Sequence, residues 1–516
     1  MKIVKYKYSK LAVVFAAFTL TFQSCNDENF GEDYNRNENG IYSADYKSLM
    51  AGSISQLALR GGNNFLMKPV LYAQHLSQAT YTSESQYNQE GGQWDWYYAR
   101  CLNNLDKIIK DYSGTVTPTM ELQGSKENMI GMSKIFRAIV YKRLTDTYGD
   151  VPYTEANLMQ EGIKTPKFDS QEFIYKSIIA DLKAGRDMLN SSTTLPKGDI
   201  LYGYTNSTST TQAAAATVIG RWKKLANSVL LQATLQLSKK YPGASDYAAT
   251  EFKAALSNSA GVIETVADEA WFTYNSDASV TNPLNAFRAA DYRISAQLLE
   301  SLNGSTSQFN VTSNHTVDAR KNAYATSPNG TGLPYGYSLG DLLAAGYSNG
   351  TNTLASRYRG LTSARSLMTA SYTFLNRAEG AALGWSTEDA SALLEKGIVL
   401  NYQSIDAKYA TAISSNAAAY AAARKADVAT FGVKRVIGEE KWVSLFLNGF
   451  EAWSEWRRTG YPALKPAPSS LNGGFIPRRI QYPVNEQIFN SINYAAAVQK
   501  LVPATDLNTS KIWWDQ

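Results

Sequence analysis

Few residues of this chain have the types and spacing to do covalent or metal chemistry. Its only histidines, His75 and His315, lie far apart, and neither sits in a ligand-spaced cluster with Cys, Asp or Glu. Both read as surface or locally hydrogen-bonded residues. Gly346-Tyr347-Ser348-Asn349-Gly350 matches G-x-S-x-G. That motif needs a strand–turn–helix elbow with a later acid and histidine. Here it falls in a Gly/Asn/Ser stretch that no histidine follows, so it is a coincidence of composition. Glycoside hydrolysis needs two facing carboxylates, and the sequence singles out no pair. No phosphate loop or dinucleotide fingerprint appears. We expect no catalytic residue, no metal ligand and no cofactor, although calcium held by carboxylates and carbonyls from separate loops stays open.

The chemistry that the sequence does offer is recognition. Sugar rings present apolar C–H faces that suit aromatic side chains, and their hydroxyls need amide, carboxylate or guanidinium partners. Thr80 to Asp95 (TYTSESQYNQEGGQWD) mixes Tyr81, Tyr87 and Trp94 with Glu84, Gln86, Asn88, Gln89 and Gln93. Trp96 adjoins it and equally fits the next helix face. A second group is Trp271, Phe272, Tyr274 and Asn275, joined by Tyr335 and Tyr337 further on. The competing reading of both groups is that the rings only pin loops to the core. As ligand-binding candidates we take Tyr81, Tyr87, Trp94, Trp96, Trp271 and Tyr274.

These loops need a scaffold, and the periodicity predicts a helical one. Ile437 to Leu464 places Trp442, Phe446, Gly449, Trp453 and Trp456 on one helix face. Lys441, Glu451 and Glu455 fall largely outside that stripe. Arg457, Arg458 and Gly460-Tyr461-Pro462 suit a helix end. With Ile476 to Pro483 and the terminal Trp513-Trp514, the C-terminal region reads as a packed hub. Further helices are predicted from Ile41 to Leu59, Trp96 to Ile109, Glu127 to Tyr148 and Arg221 to Leu237. Another opens at Asp169 or Ser170, with Phe173, Ile174, Ile178, Ile179 and Leu182 on its face. Ala364 to Leu383 and Glu388 to Val399 read as a helix–turn–helix with small residues at the crossing, laid out like a tetratricopeptide repeat. A similar pairing fits Glu127–Tyr148 with the helix from Gln171 to Leu189. Between these lies about Trp271 to Ser363, a Gly/Ser/Asn/Thr/Tyr-rich stretch without long apolar periodicity.

The first 24 residues have a basic start and a short apolar run, Leu11 to Phe22, as in a secretory signal. Lys2, Lys5, Lys7 and Lys10 lie there, and without them the net charge falls from +5 to +1. That balance gives no argument for nucleic acid. Cys25 stands at the expected cleavage point, and residues 25–40 read as a polar tether. Cys101 then has no disulfide partner and reads as a small buried hydrophobe.

Several of these stretches resemble SusD/RagB-type proteins, the nutrient-binding surface lipoproteins of Bacteroidetes. The likeness rests on Asp146–Ala156, Arg221–Ser228, Ala378–Trp385, Lys441–Pro462 and Pro477–Pro483, which match in family order. It implies a mostly α-helical, tetratricopeptide-like domain over residues 41–516, with a loop-rich insertion at about 271–363. It also implies cleavage before Cys25, acylation of that residue and an outward-facing outer-membrane position. The function it implies is capture of a nutrient, most plausibly an oligosaccharide, for a partner TonB-dependent SusC-like transporter, without chemical conversion. Peptide capture, or a lid without ligand affinity of its own, are the alternatives. The family has no invariant ligand motif, so its site is not transferred residue by residue.

Overall fold

The computed structural model describes residues 45–59, 66–203, 213–276, 280–349 and 352–516. Tyr46–Gln516 forms one unit by its internal contacts. Cys25, the signal segment 1–24 and the tether 25–40 lie outside the described residues. No helix among the described residues is long and apolar enough to cross a membrane.

The fold is mostly α-helical. Its long helices are α1 (Tyr46–Leu59), α2 (Asn103–Ser113), α3 (Lys126–Tyr148), α4 (Gln171–Met188), α5 (Ala215–Gln236), α6 (Tyr247–Leu256), α7 (Ala296–Asn303), α8 (Ala370–Ala382), α9 (Ala390–Tyr409), α10 (Ala417–Phe431), α11 (Val433–Ser444) and α12 (Gly449–Thr459). Two short helices, α13 (Val484–Phe489) and α14 (Ser491–Val498), follow. Successive helices pack on one another: α3 on α4, α4 on α5, α5 on α6, and α8 on α9. The α3–α4 crossing is set by two glycines. A Cβ on Gly131 would stand 2.8 Å from the Gly185 carbonyl oxygen, and one on Gly185 would stand 2.6 Å from that of Gly131. No side chain fits there, so the backbones touch. Short polar side chains cap the helix starts: Ser125, Ser170, Thr369 and Asp389 each accept a backbone N–H of the first turn.

Three two-stranded ribbons tie loops to this scaffold. β1 (Leu76–Gln78) pairs with β5 (Tyr292–Ile294), β2 (Val151–Pro152) with β3 (Phe168–Asp169), and β4 (Ala270–Phe272) with β6 (Arg365–Met368), all antiparallel. Two expectations change here. Ala364–Leu383 is not one helix: its first residues are β6, and the helix begins after the Thr369 cap. The stretch 271–363 is not free of regular structure, since it contains β5 and α7. Short local elements leave little periodic signal, because each buries only a few side chains.

Ile437–Leu464 is two helices rather than one. The chain breaks between α11 and α12, where Leu447 takes φ 64°. Trp442, Phe446, Trp453 and Trp456 are nonetheless all buried. Lys441 and Glu455, expected outside the stripe, are buried too. Their charges are met in a closed cluster: Lys441 with Glu379 and Glu455, and Arg458 with the same two carboxylates. Charge pairing, not polarity of the residue, decided their place. Phe173 also departs from expectation. It is 45 % exposed beside a capped helix start, while Ile174, Ile178, Ile179 and Leu182 are buried.

Candidate ligand-binding face

The loop after β1 is built to hold one aromatic ring outward. The Gln78 side-chain oxygen accepts from the backbone N–H of Thr80 (2.8 Å) and Tyr81 (3.2 Å). Ala79 N–H donates to the Asp291 carbonyl at 2.7 Å, and the Thr80 hydroxyl donates to the Asp291 carboxylate at 2.8 Å. A 3-10 turn, Thr82–Glu84, follows. With its flanks fixed, Tyr81 projects into solvent, 62 % exposed. Arg288 clamps Asp291 through Nε (3.0 Å) and a terminal nitrogen (2.6 Å). Burial pushes the Asp291 carboxyl up, but the Thr80 hydroxyl and the Arg288 guanidinium outweigh it and hold it below the usual range. Behind this rim Glu84 accepts from the Tyr292 hydroxyl at 2.9 Å, and burial pushes its carboxyl up.

The opposing wall comes from the loop-rich stretch. The Tyr347 ring meets Phe309 edge-on at 5.2 Å and Tyr337 at 5.6 Å, and Gln308 donates to its hydroxyl. A short helix, Leu339–Ala344, capped by Ser338, carries the exposed Leu339 and Leu343 beside them. A narrow crevice lined by Ala79, Thr82, Tyr337, Leu342 and Asn349 joins the two walls. The result is an open surface of aromatic rings bordered by guanidinium, amide and hydroxyl groups. Apolar faces of a ligand can stack there while its hydroxyls find partners.

The structure disperses the six residues expected from sequence. Only Tyr81 stands on this face. Tyr87 is wholly buried, and its hydroxyl accepts from Ala467 N–H (3.2 Å) and the Gln74 side chain (3.4 Å). Its ring faces Tyr72 and Tyr335, so it pins the loop to the core and cannot stack on a ligand. Trp94 is 5 % exposed and sits edge-on to Tyr98, Tyr148, Phe168 and Tyr482. It borders a cleft of 530 Å³ with Met159, Ile163 and Val484. Trp96 is half-buried at the start of a π-helical turn, donates to the Gln56 carbonyl at 3.1 Å and lies under Arg100. Trp271 and Tyr274 line a separate cavity of 650 Å³. Sequence reasoning named Tyr337 but missed Arg288, Phe309, Tyr347 and Asn349. Their only signal was membership of the Tyr/Asn-rich stretch.

The catalytic motifs gain nothing. Gly346–Asn349 follows the end of a short helix, with Ser348 exposed, and Gly350 lies outside the described residues. His75 is fully buried, with Nε2 2.9 Å from the Trp442 carbonyl oxygen, and burial pushes its imidazole down to about 4. Cys101 is buried with its thiol pushed up to about 12 by burial, as suits a packing residue. Among the described residues no group of three or more His, Cys, Asp or Glu is placed to hold a metal ion.

Comparison with known proteins adds to this geometry. Residues 38–483 match the SusD-like family described as starch-binding and associating with the outer membrane. No curated protein matches the chain. Solved structures do. A chitin-binding protein is 27% identical, with a TM-score of 0.74, covering 92% of this chain and 100% of that one. An outer membrane protein from Bacteroides vulgatus, described as involved in nutrient binding, is 22% identical with a TM-score of 0.71 over 92% of this chain and 100% of its own. A chitin-binding SusD homologue from Flavobacterium johnsoniae is 21% identical, with a TM-score of 0.71 over 92% and 99%. The last two show the likeness of fold.

Proposed function

The chain belongs to the SusD-like family of outer-membrane-associated proteins, and from that membership we propose that it captures an oligosaccharide at the cell surface and passes it on without chemical conversion. One observation carries the reading: Tyr81 is held outward by a fixed loop, opposite the Tyr337–Tyr347–Phe309 cluster, with Arg288 and Asn349 at the rim. Tyr81 buries little of its surface in the fold, and Phe309, Tyr337 and Tyr347 are half-buried, so each keeps part of its ring open to a ligand. The 27% identical chitin-binding protein makes an N-acetylated glucosaminide the first ligand to try, and the family description makes an α-glucan the second. Acylation of Cys25 would anchor the chain, and a SusC-like TonB-dependent transporter would receive the ligand. The function needs no cofactor.

The test is calorimetry on the purified protein with chitohexaose, maltohexaose and a mixed peptide pool, repeated on Tyr81→Ala and Tyr347→Ala. Binding of one glycan, weakened at least about tenfold by either substitution with the fold intact, supports the reading. Binding of peptides alone would replace the ligand class. A folded protein that binds none of the three, alone or with its co-purified transporter, would leave a lid without affinity of its own.

A further inference from the structure

The 650 Å³ cavity beside Trp271 is not part of the Tyr81 face, and its charges are unbalanced. Its walls come from α1 (Ser48 to Ser55), the turn Ile200–Tyr202, the start of α5, the segment Val266–Asn275 and the end of α9. Its volume falls within the roughly 300–1,000 Å³ of small-molecule sites. Two cations line it, Arg221 and Lys408, with one carboxylate, Glu269.

The carboxylate is already committed. One Glu269 oxygen accepts from Trp271 Nε1 at 2.8 Å, and the other accepts from Ala370 N–H at 3.0 Å and from the Ser404 hydroxyl. The cations are less fully met. Among the described residues Lys408 makes no ion pair or hydrogen bond; its ammonium stands 5.3 Å from the centre of the Trp271 ring. Burial lowers its proton affinity, Glu269 offsets part of that, and the neighbouring Arg221 lowers it further. Among the described residues Arg221 Nε is buried without a hydrogen-bond partner. The carboxylate paired with it, Asp268, is 4.0 Å away and accepts from Lys224 at 2.8 Å. Arg221 shares Asp268 with Lys224, and Lys408 has only the committed Glu269 nearby, so the cavity carries an excess of positive charge that suits an anion.

The aromatic walls add shape rather than hydrogen bonds. The Tyr274 hydroxyl donates to the Ala58 carbonyl and the Tyr202 hydroxyl to the Asp268 carbonyl. Ring surface and the two cations are left for an occupant, beside the polar side chains of Ser48, Ser55, Thr273 and Asn275.

We propose that this cavity is a second binding site that takes an anionic saccharide, its carboxylate or sulfate between Arg221 and Lys408 and its ring against Trp271. Guanidinium and ammonium groups serve both anions. The body of the ligand is saccharide-sized because the cavity is larger than a lone anion needs and is walled by Trp271 and Tyr202.

The test titrates the full protein with trigalacturonate, with a sulfated chondroitin disaccharide and with neutral maltotriose. The variants are Lys408→Gln, the double variant R221Q/K408Q, and Tyr81→Ala as the control on the other face. At least one anionic probe should bind at least about tenfold tighter than maltotriose. The affinity for that anionic probe should be lost in R221Q/K408Q, be unchanged in Tyr81→Ala, and fall as sodium chloride rises from about 50 to about 500 mM. The arm that binds tells carboxylate from sulfate. Lys408 lies at the surface, so Lys408→Gln should keep the fold and alone weaken binding. Equal binding of anionic and neutral probes by Tyr81→Ala, no binding of either anion, or an unchanged affinity in R221Q/K408Q would overturn the proposal. Because the Tyr81→Ala control touches only the first face, failure here and failure of the glycan-capture reading are told apart.

Discussion

The indole Nε1 of Trp514, two residues from the end of the chain, donates to the Asp146 carboxylate at 2.9 Å across 368 positions of sequence. Asp146 also receives Lys142 (2.9 Å) and the Tyr175 hydroxyl. The Arg457 guanidinium lies between the Trp453 and Trp514 rings, 3.7 and 4.8 Å from their centres. The C-terminus therefore closes the α3–α4 pair onto α12. Trp514→Ala should cost about 3–5 kcal/mol, from lost burial and one lost hydrogen bond to the Asp146 carboxylate. Urea denaturation would show it, and a loss below about 1 kcal/mol would mean the terminus only rests on the hub.

Gly449 begins α12 against the short helix Lys68–Tyr72. A Cβ there would stand 2.3 Å from the Val70 backbone nitrogen and 2.6 Å from the Pro69 carbonyl carbon. Backbone cannot retreat as a flexible side chain can, so Gly449→Ala should destabilise by about 1–3 kcal/mol or more despite the better helix propensity of alanine. A melting temperature equal to wild type would contradict the close contact.

Tyr81 and Tyr87 should separate stability from binding. Tyr87→Ala empties a fully buried site and should cost about 3–5 kcal/mol. Tyr81→Ala removes an exposed ring and should change stability by no more than about 0.5 kcal/mol while weakening ligand binding. Denaturation and calorimetry on the same two variants give both answers, and a reversed pattern would exchange their roles.

His75 predicts a pH dependence of stability. Its imidazole is neutral in the fold, pushed down to about 4 by burial from an ordinary value near 6.5. Between those values the unfolded chain binds the extra proton, so stability falls as pH is lowered through the window. The loss attached to this group is about 3 kcal/mol once pH is below about 4. His75→Gln, which can still donate to the Trp442 carbonyl, should flatten the slope between about pH 4 and 6.5 relative to wild type. Parallel wild-type and variant curves across that range would rule the linkage out.

The buried pairs of Glu379 act at lower pH. Burial raises its carboxyl, but Arg458 and Lys441 outweigh burial and hold it well below the usual range. Its folded value is depressed, so its stabilisation is complete above the ordinary carboxylate range, near 4.3, and is lost as pH falls toward the folded value. Glu269, Asp199 and Asp150, pushed up by burial, act in the opposite direction. The difference between Glu379→Gln and wild type isolates the effect. The variant should lose about 3–5 kcal/mol at neutral pH, where it leaves Arg458 and Lys441 short of a partner. That deficit should shrink as pH falls below about 4.

Much of the scaffold was legible in the sequence. The helix α3 was bounded within one residue, because Gly149 marks its end and its periodicity is long. The hub was also legible, because several tryptophans at helical spacing must be buried somewhere. The break at Leu447 was not, since a left-handed leucine has no compositional mark. The depth of Lys441 and Glu455 was equally hidden: their partner Glu379 lies on α8, and pairing across helices is not periodic.

The sequence by itself determined that the chain is helical, which faces are apolar and which loops carry rings and amides. These are properties of neighbouring residues and of period, and they are local. Only the tertiary structure decided that Tyr81 faces solvent while Tyr87, six residues on, is sealed in the core. It alone set Tyr347 beside Phe309 and turned Arg221 and Lys408 toward one cavity. Exposure and charge balance depend on what the rest of the chain places opposite a residue, and that is fixed by packing across long separations in sequence.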